Sequence, residues 1–257
     1  MRRFFSSLAV AAVTAMVLAG CAHHGPRPIP PASVLYKHAQ DNLMLENWKP
    51  AIAQLRQLLS TYPFGEYATQ ARLELIYANY RSNQPDEVAK QSDDFVQENP
   101  ASPYVPYAMF MKGAAYANAL QPGPLDSFFH TNLSRRDPID DEQAFAAFKQ
   151  LIVRYPDSPY AQRARQWMIF VRDRLANFSL GVARFYASRK QWVAAVDRAS
   201  DVVTTFPATP AATPALKIMM QGYRALGEDQ LAAAAETYYR YNFESPTAAA
   251  AAATSSH

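Results

Sequence analysis

The sequence predicts an all-α protein, a superhelical stack of about five helical hairpins behind a short leader and tether. Three observations carry that expectation. Glycine is scarce, at 8 of 257 residues or about 3% against a usual ~7%. A chain built from many strands and tight turns needs more. From residue 33 onward apolar residues recur at helical spacing, without strand-like alternation. Finally, one segment recurs four times, at 48–63 (WKPAIAQLRQLLSTYP), 85–100, 141–156 and 192–207, each ending in a proline fifteen residues after its start.

The leader comes first. Arg2 and Arg3 precede an almost continuously apolar run over residues 4–18, shorter than the ~20 residues of a membrane-spanning helix. This is the pattern of a secretory signal peptide over residues 1–20. It ends in Leu18-Ala19-Gly20-Cys21, which resembles the lipobox of bacterial lipoproteins and implies cleavage before Cys21 and lipidation of its thiol and new amine. An ordinary signal followed by a chance cysteine is the alternative, but the only cysteine of the chain stands at the one place this chemistry requires. Several acyl chains on one residue give lasting attachment, where a single chain anchors marginally. Ala22 stands where inner-membrane lipoproteins typically carry Asp, which implies sorting to the outer membrane. Residues 21–32, the cysteine and a proline-rich stretch (AHHGPRPIPPA), form a semi-extended tether. His23 and His24 are two adjacent imidazoles without further ligands, a poor metal site.

The repeats follow. Three positions into each recurring segment stands Ala51, Val88, Ala144 or Ala195. Ten and eleven positions in stand Leu58-Leu59, Phe95-Val96, Leu151-Ile152 and Val202-Val203. These offsets share one face of a 3.6-residue helix, and the proline stops it after about four turns. A second helix precedes each, at residues 33–45, 67–81, 104–120 and 177–188. A looser fifth pair spans 213–226 and 229–242 around Gly227. Such pairs resemble tetratricopeptide repeats, in which hairpins that cannot bury an apolar face alone do so by stacking. An irregular helical bundle is the alternative. The terminal prolines 63, 100, 156 and 207 are 37, 56 and 51 residues apart, against about 34 for an uninterrupted array. Residues 121–138 (QPGPLDSFFHTNLSRRDP) are an insertion loop. Residues 159–176 are helical, and no Pro or Gly separates them from 177–188. The organisation is therefore N-terminal repeats over 33–120, the loop, C-terminal repeats over 139–246, and an alanine-rich, disordered tail over 247–257.

Chemistry is conspicuous by absence. Lys and Arg number 25 and Asp and Glu 22, a formal charge of +3, or about +1 without Arg2 and Arg3. Nothing in that balance suggests nucleic acid. No phosphate loop, nucleophile elbow or His-Glu zinc motif appears, so neither a catalytic residue nor a cofactor or metal is expected. Asp140-Asp141-Glu142 opens a helix, where acidic residues suit the N-terminal dipole, and Asp93-Asp94 reads as a solvated face.

Certain segments resemble one family closely. They are Asn47-Trp48 with Ala51-Ile52 and Gln54-Leu55, Tyr62-Pro63-Phe64-Gly65, residues 73–80 (LELIYANY), Phe128-Phe129 with Arg136-Asp137-Pro138, Asp173-Arg174-Leu175-Ala176, and Trp192-Val193-Ala194 with Val196 and Arg198. Over residues 21–242 the chain is similar to the BamD family, the tetratricopeptide lipoproteins of the outer-membrane β-barrel assembly machinery. It departs from that family at Glu46, where a turn glycine is usual, and in its alanine-rich end.

The resemblance implies a non-enzymatic scaffold, lipid-anchored on the periplasmic face of the outer membrane. Its N-terminal repeats would receive unfolded outer-membrane β-barrel proteins. Its C-terminal repeats would dock on the POTRA domains of BamA and help hold other Bam lipoproteins. A repeat lipoprotein that tethers cell-wall enzymes is the alternative. Tyr36 and Tyr67 are candidates for the substrate groove, with inter-repeat packing as an equal reading. Arg198 lies between Ala195 and Val202 at the margin of the apolar face of its helix. The resemblance makes it the contact to a BamA carboxylate, and an internal pair with Asp201 or Asp197 is the other possibility.

Overall fold

The computed structural model describes residues 29–119 and 138–244. The leader, Cys21, the Phe128-Phe129 and Arg136-Asp137 segments and the tail lie outside the described residues. Ten α-helices and no strand occur among the described residues: α1 Ala32–Met44, α2 Trp48–Thr61, α3 Ala68–Arg81, α4 Pro85–Glu98, α5 Val105–Ala119, α6 Ile139–Arg154, α7 Pro159–Ser188, α8 Trp192–Thr205, α9 Ala212–Ala225 and α10 Asp229–Tyr239. A π-turn, Arg240–Glu244, extends α10. Every helix packs on the next, giving five hairpins, and first helices of successive hairpins also touch, α3 on α5, α5 on α7 and α7 on α9.

Proline sets the turns between hairpins. Tyr62, Asn99, Tyr155 and Phe206 each precede a proline, whose ring disfavours the helical region for the residue before it. All four leave the helix at φ between −126° and −136°. Their N–H groups still bond the last helical turn, and their carbonyls accept from Gly65, Ser102, Ser158 and Thr209. Four turns therefore share one hydrogen-bond pattern.

The turns inside hairpins share another. Glu46, Asn83 and Lys190 adopt φ of 56°, 54° and 55°, and Gly227 adopts 78°. In each case the next residue's N–H reaches back to close a Schellman motif, as in Asn47 to Asn42 O at 2.8 Å and Gln191 to Tyr186 O at 3.0 Å. Glu46 thus occupies a left-handed position that glycine fills at lower cost.

Ala51, Val88, Ala144 and Ala195 are fully buried, as are Leu58, Leu151 and Val202, with Phe95 nearly so. One cluster fills α1–α3, a larger one α3–α7 and a third α7–α9. The 30-residue α7 joins the last two. Val171 belongs to the central cluster, Ala176 and Leu180 to the third. This unbroken helix accounts for the long 156-to-207 spacing. Two glycines let helices close up: a β-carbon on Gly113 would stand 2.6 Å from the Phe148 ring, and one on Gly222 2.4 Å from Val196 Cγ2.

Candidate functional site

Aromatic side chains gather on the first helices of the N-terminal hairpins. Tyr36 of α1 stacks on Tyr67, which leads into α3, with ring centroids 4.6 Å apart and planes 20° from parallel. The Tyr36 hydroxyl donates to Glu74 Oε1 at 2.9 Å, and Gln70 donates to the same oxygen at 3.0 Å. Burial, then the bond to Glu74, pushes the Tyr36 hydroxyl up to about 12. Further along, Tyr107 of α5 meets Tyr160 of α7 edge-on at 5.7 Å. Burial pushes its hydroxyl up too, with Tyr160, Tyr77 and Glu74 adding in the same direction. At the other end of α3, Arg81 lies 4.6 Å over the Trp48 ring and donates to the Tyr77 hydroxyl at 2.8 Å.

Tyr36 and Tyr67 are thus brought together, 31 residues apart in sequence, and both also pack against the first core cluster. They join α1 to α3, where no short loop does so, and their half-exposed rings form part of the outer surface of that joint. A stacked pair with one ordered hydroxyl can take part in apolar and hydrogen-bonded recognition. It has no nucleophile and no paired acid and base. No group of three or more His, Cys, Asp or Glu among the described residues could hold a metal.

Arg198 lies on α8, half exposed, with its guanidinium 3.4 Å from Asp201 one turn on. At that length and exposure the pair holds the arginine weakly, so the head remains available to a partner. Thr205, seven residues further along the same helix face, borders a groove of about 570 Å³ between α6, α7 and α8. Its floor is Phe145, Leu175, Phe178 and Phe206, and Arg172 stands at its side. The corresponding space between α2 and α4 is instead crossed by the ion pair Arg56–Glu87 at 2.8 Å.

Two acidic sequences have roles that the chain alone did not reveal. Asp141 is not simply a dipole-facing residue at a helix start: it is buried and paired with Arg174 of α7, 33 residues away. Arg174 also donates to the Ala117 carbonyl at 3.0 Å and covers the Phe170 ring at 4.7 Å, so one guanidinium ties α5, α6 and α7 together. Asp93 of the expected solvated face pairs with Lys112 of α5 at 2.7 Å, linking two hairpins, while Asp94 meets Lys90 on its own helix. No helix among the described residues is long and apolar enough to cross a membrane.

Comparison with known proteins places this arrangement. The YfiO family, described as outer membrane lipoproteins, matches residues 29–238. A Vibrio cholerae protein named outer membrane protein assembly factor BamD is 36% identical over 213 residues, covering 82% of this chain and 88% of its own. Proteins of the same name from Haemophilus influenzae and Xylella fastidiosa (strain Temecula1) are 34% and 31% identical. They cover 90% and 89% of this chain, and 87% and 80% of their own. The matched span runs from the tether into α10, and the chain belongs to the YfiO family of outer membrane lipoproteins, alongside the BamD assembly factors.

Proposed function

We propose that the protein is a non-enzymatic scaffold for the assembly of outer-membrane β-barrel proteins, held at the periplasmic face of the outer membrane by lipid on Cys21. The observation that carries this reading is the similarity, across more than four fifths of the chain, to proteins named outer membrane protein assembly factors. A stack of helical hairpins fits the role physically. It offers a long, pre-formed surface on which binding energy alone can hold an extended chain.

In this reading the N-terminal hairpins, residues 33–120, receive unfolded barrel segments at the aromatic surface around Tyr36 and Tyr67. The C-terminal hairpins, residues 139–246, dock on the POTRA domains of BamA and hold other Bam lipoproteins. Arg198 supplies a charge-assisted contact to a BamA carboxylate. Its weak tie to Asp201 supports that assignment, because little is lost when the guanidinium turns to a partner. A pull-down of the lipidated full chain from detergent-solubilised outer membrane tests the reading. Recovery of a large barrel protein bearing POTRA domains supports it. Recovery of cell-wall enzymes without that barrel protein contradicts it.

A further inference from the structure

The first proline turn lies at the end of its hairpin from which the tether leaves, because α1 runs away from the tether and α2 returns. The first turn is tied to the tether directly: the Tyr62 hydroxyl donates to the Pro30 carbonyl at 3.1 Å. It is also held stiff, since Arg72 donates to the Pro63 carbonyl at 3.1 Å while pairing with Glu98 at 3.1 Å. The position two residues after the helix cap is exposed in every one of the four proline turns, and it carries Phe64, Ala101, Asp157 and Ala208 in order. The turn beside the tether, alone of the four, carries a large apolar side chain there. Phe64 is 95% exposed, and Ile29, on the tether, is 68% exposed. No packing role within the fold accounts for that ring.

Ile29 stands eight residue steps after Cys21, about 25 Å at the rise of a polyproline helix. If Cys21 carries lipid, as the proposed function holds and this inference requires, the first turn can lie no further than that tether from the leaflet. An apolar ring flanked by Pro63 and Gly65, with no polar group of its own, suits the interfacial region of a bilayer. A second apolar contact also limits how an anchored domain can swing on its tether. We infer that Phe64, together with Ile29 on the tether that this turn binds, is a membrane contact that seats in the phospholipid leaflet holding the lipid anchor, fixing the first hairpin against the membrane surface.

Cys21 is the only cysteine, and lipidation consumes its thiol. Phe64→Cys in the lipidated full chain therefore takes an environment-sensitive NBD label at one site, and Asp157→Cys provides the matched position on another turn. Both proteins are reconstituted on vesicles of phosphatidylethanolamine and phosphatidylglycerol. The expected result is blue-shifted NBD emission at position 64, quenched by doxyl-labelled lipid, with water-like emission at position 157. Flotation with the vesicles but water-like emission at both positions overturns the contact and leaves the anchor standing. Failure to float overturns the anchor and the contact with it. Emission at position 64 that responds to a denatured barrel protein and not to vesicles makes Phe64 a substrate contact and also overturns the inference.

Discussion

Replacing Arg174 by Met removes a guanidinium that joins α5, α6 and α7. Asp141 is 5% exposed, so the variant leaves a buried carboxylate without its partner and the Ala117 carbonyl without its donor. Breaking one side of a buried pair typically costs about 3–5 kcal/mol. The Arg174 side chain keeps 17% exposure and water can reach part of the gap, which points to the lower end, about 3 kcal/mol. For a chain of this size that lowers Tm by about 10 °C. The pH dependence has a definite sign. Burial pushes the Asp141 carboxyl above its ordinary 3.8, and Arg174 pulls it part of the way back. With a raised value the native state holds its proton more tightly than the unfolded chain. This contribution to stability is therefore fully present below the unfolded value and is lost as pH rises through the folded one. Removing Arg174 raises that folded value further, so the deficit of Arg174→Met is greatest near neutral pH and shrinks on acidification. Urea melts followed by far-UV circular dichroism at several pH values measure it, with Asp141→Leu/Arg174→Met as the companion. The double variant recovers much of the loss because neither charge remains buried alone. A deficit below about 1 kcal/mol, or one independent of pH, refutes the reasoning.

Lys190 holds a left-handed φ of 55°, and Lys190→Gly is expected to stabilise the protein by about 0.5–1 kcal/mol, the relief of the β-carbon less the added freedom of the unfolded chain; a lowered Tm contradicts this. Gly222→Ala drives a β-carbon into Val196 and should cost about 1–3 kcal/mol, with Val196→Ala in the same chain restoring part of it; equal melts for the single variant and the parent contradict the close approach. Arg198→Leu should weaken co-purification with BamA while changing Tm little, since an exposed pair at 3.4 Å contributes about 0–1 kcal/mol. Unimpaired co-purification, or unfolding of the variant, assigns Arg198 to the fold.

What the chain revealed in advance and what it hid follow from the range of the interactions. Proline restricts itself and the residue before it, so the four helix ends at Tyr62, Asn99, Tyr155 and Phe206 are written locally. Helical spacing likewise marks Ala51, Val88, Ala144 and Ala195 as core, and the absence of Pro or Gly where residues 159–176 run into 177–188 marks the single long α7. The hairpin turns at Glu46 and Lys190 carry no such mark, because neither residue favours φ > 0; only their register with Asn83 and Gly227 identifies them. Asp141 and Arg174 lie on either side of a whole helix and turn. Local rules see an acidic helix start and an ordinary helical arginine, and only the packing of α7 across α5 and α6 makes them a pair. The Tyr36–Tyr67 stack has the same character: both rings were visible as candidates, but their contact depends on how two hairpins stack.

The proposed scaffold role is tested most directly by the folding of a barrel protein in a reconstituted system. A urea-denatured outer-membrane barrel protein is diluted onto vesicles bearing the assembly complex, with or without this chain, and folding is followed by the heat-modifiable shift in gel mobility. Omitting the chain is expected to lower both the rate and the yield of folded barrel, and adding it back to restore them. Equal folding in its presence and absence contradicts the scaffold role.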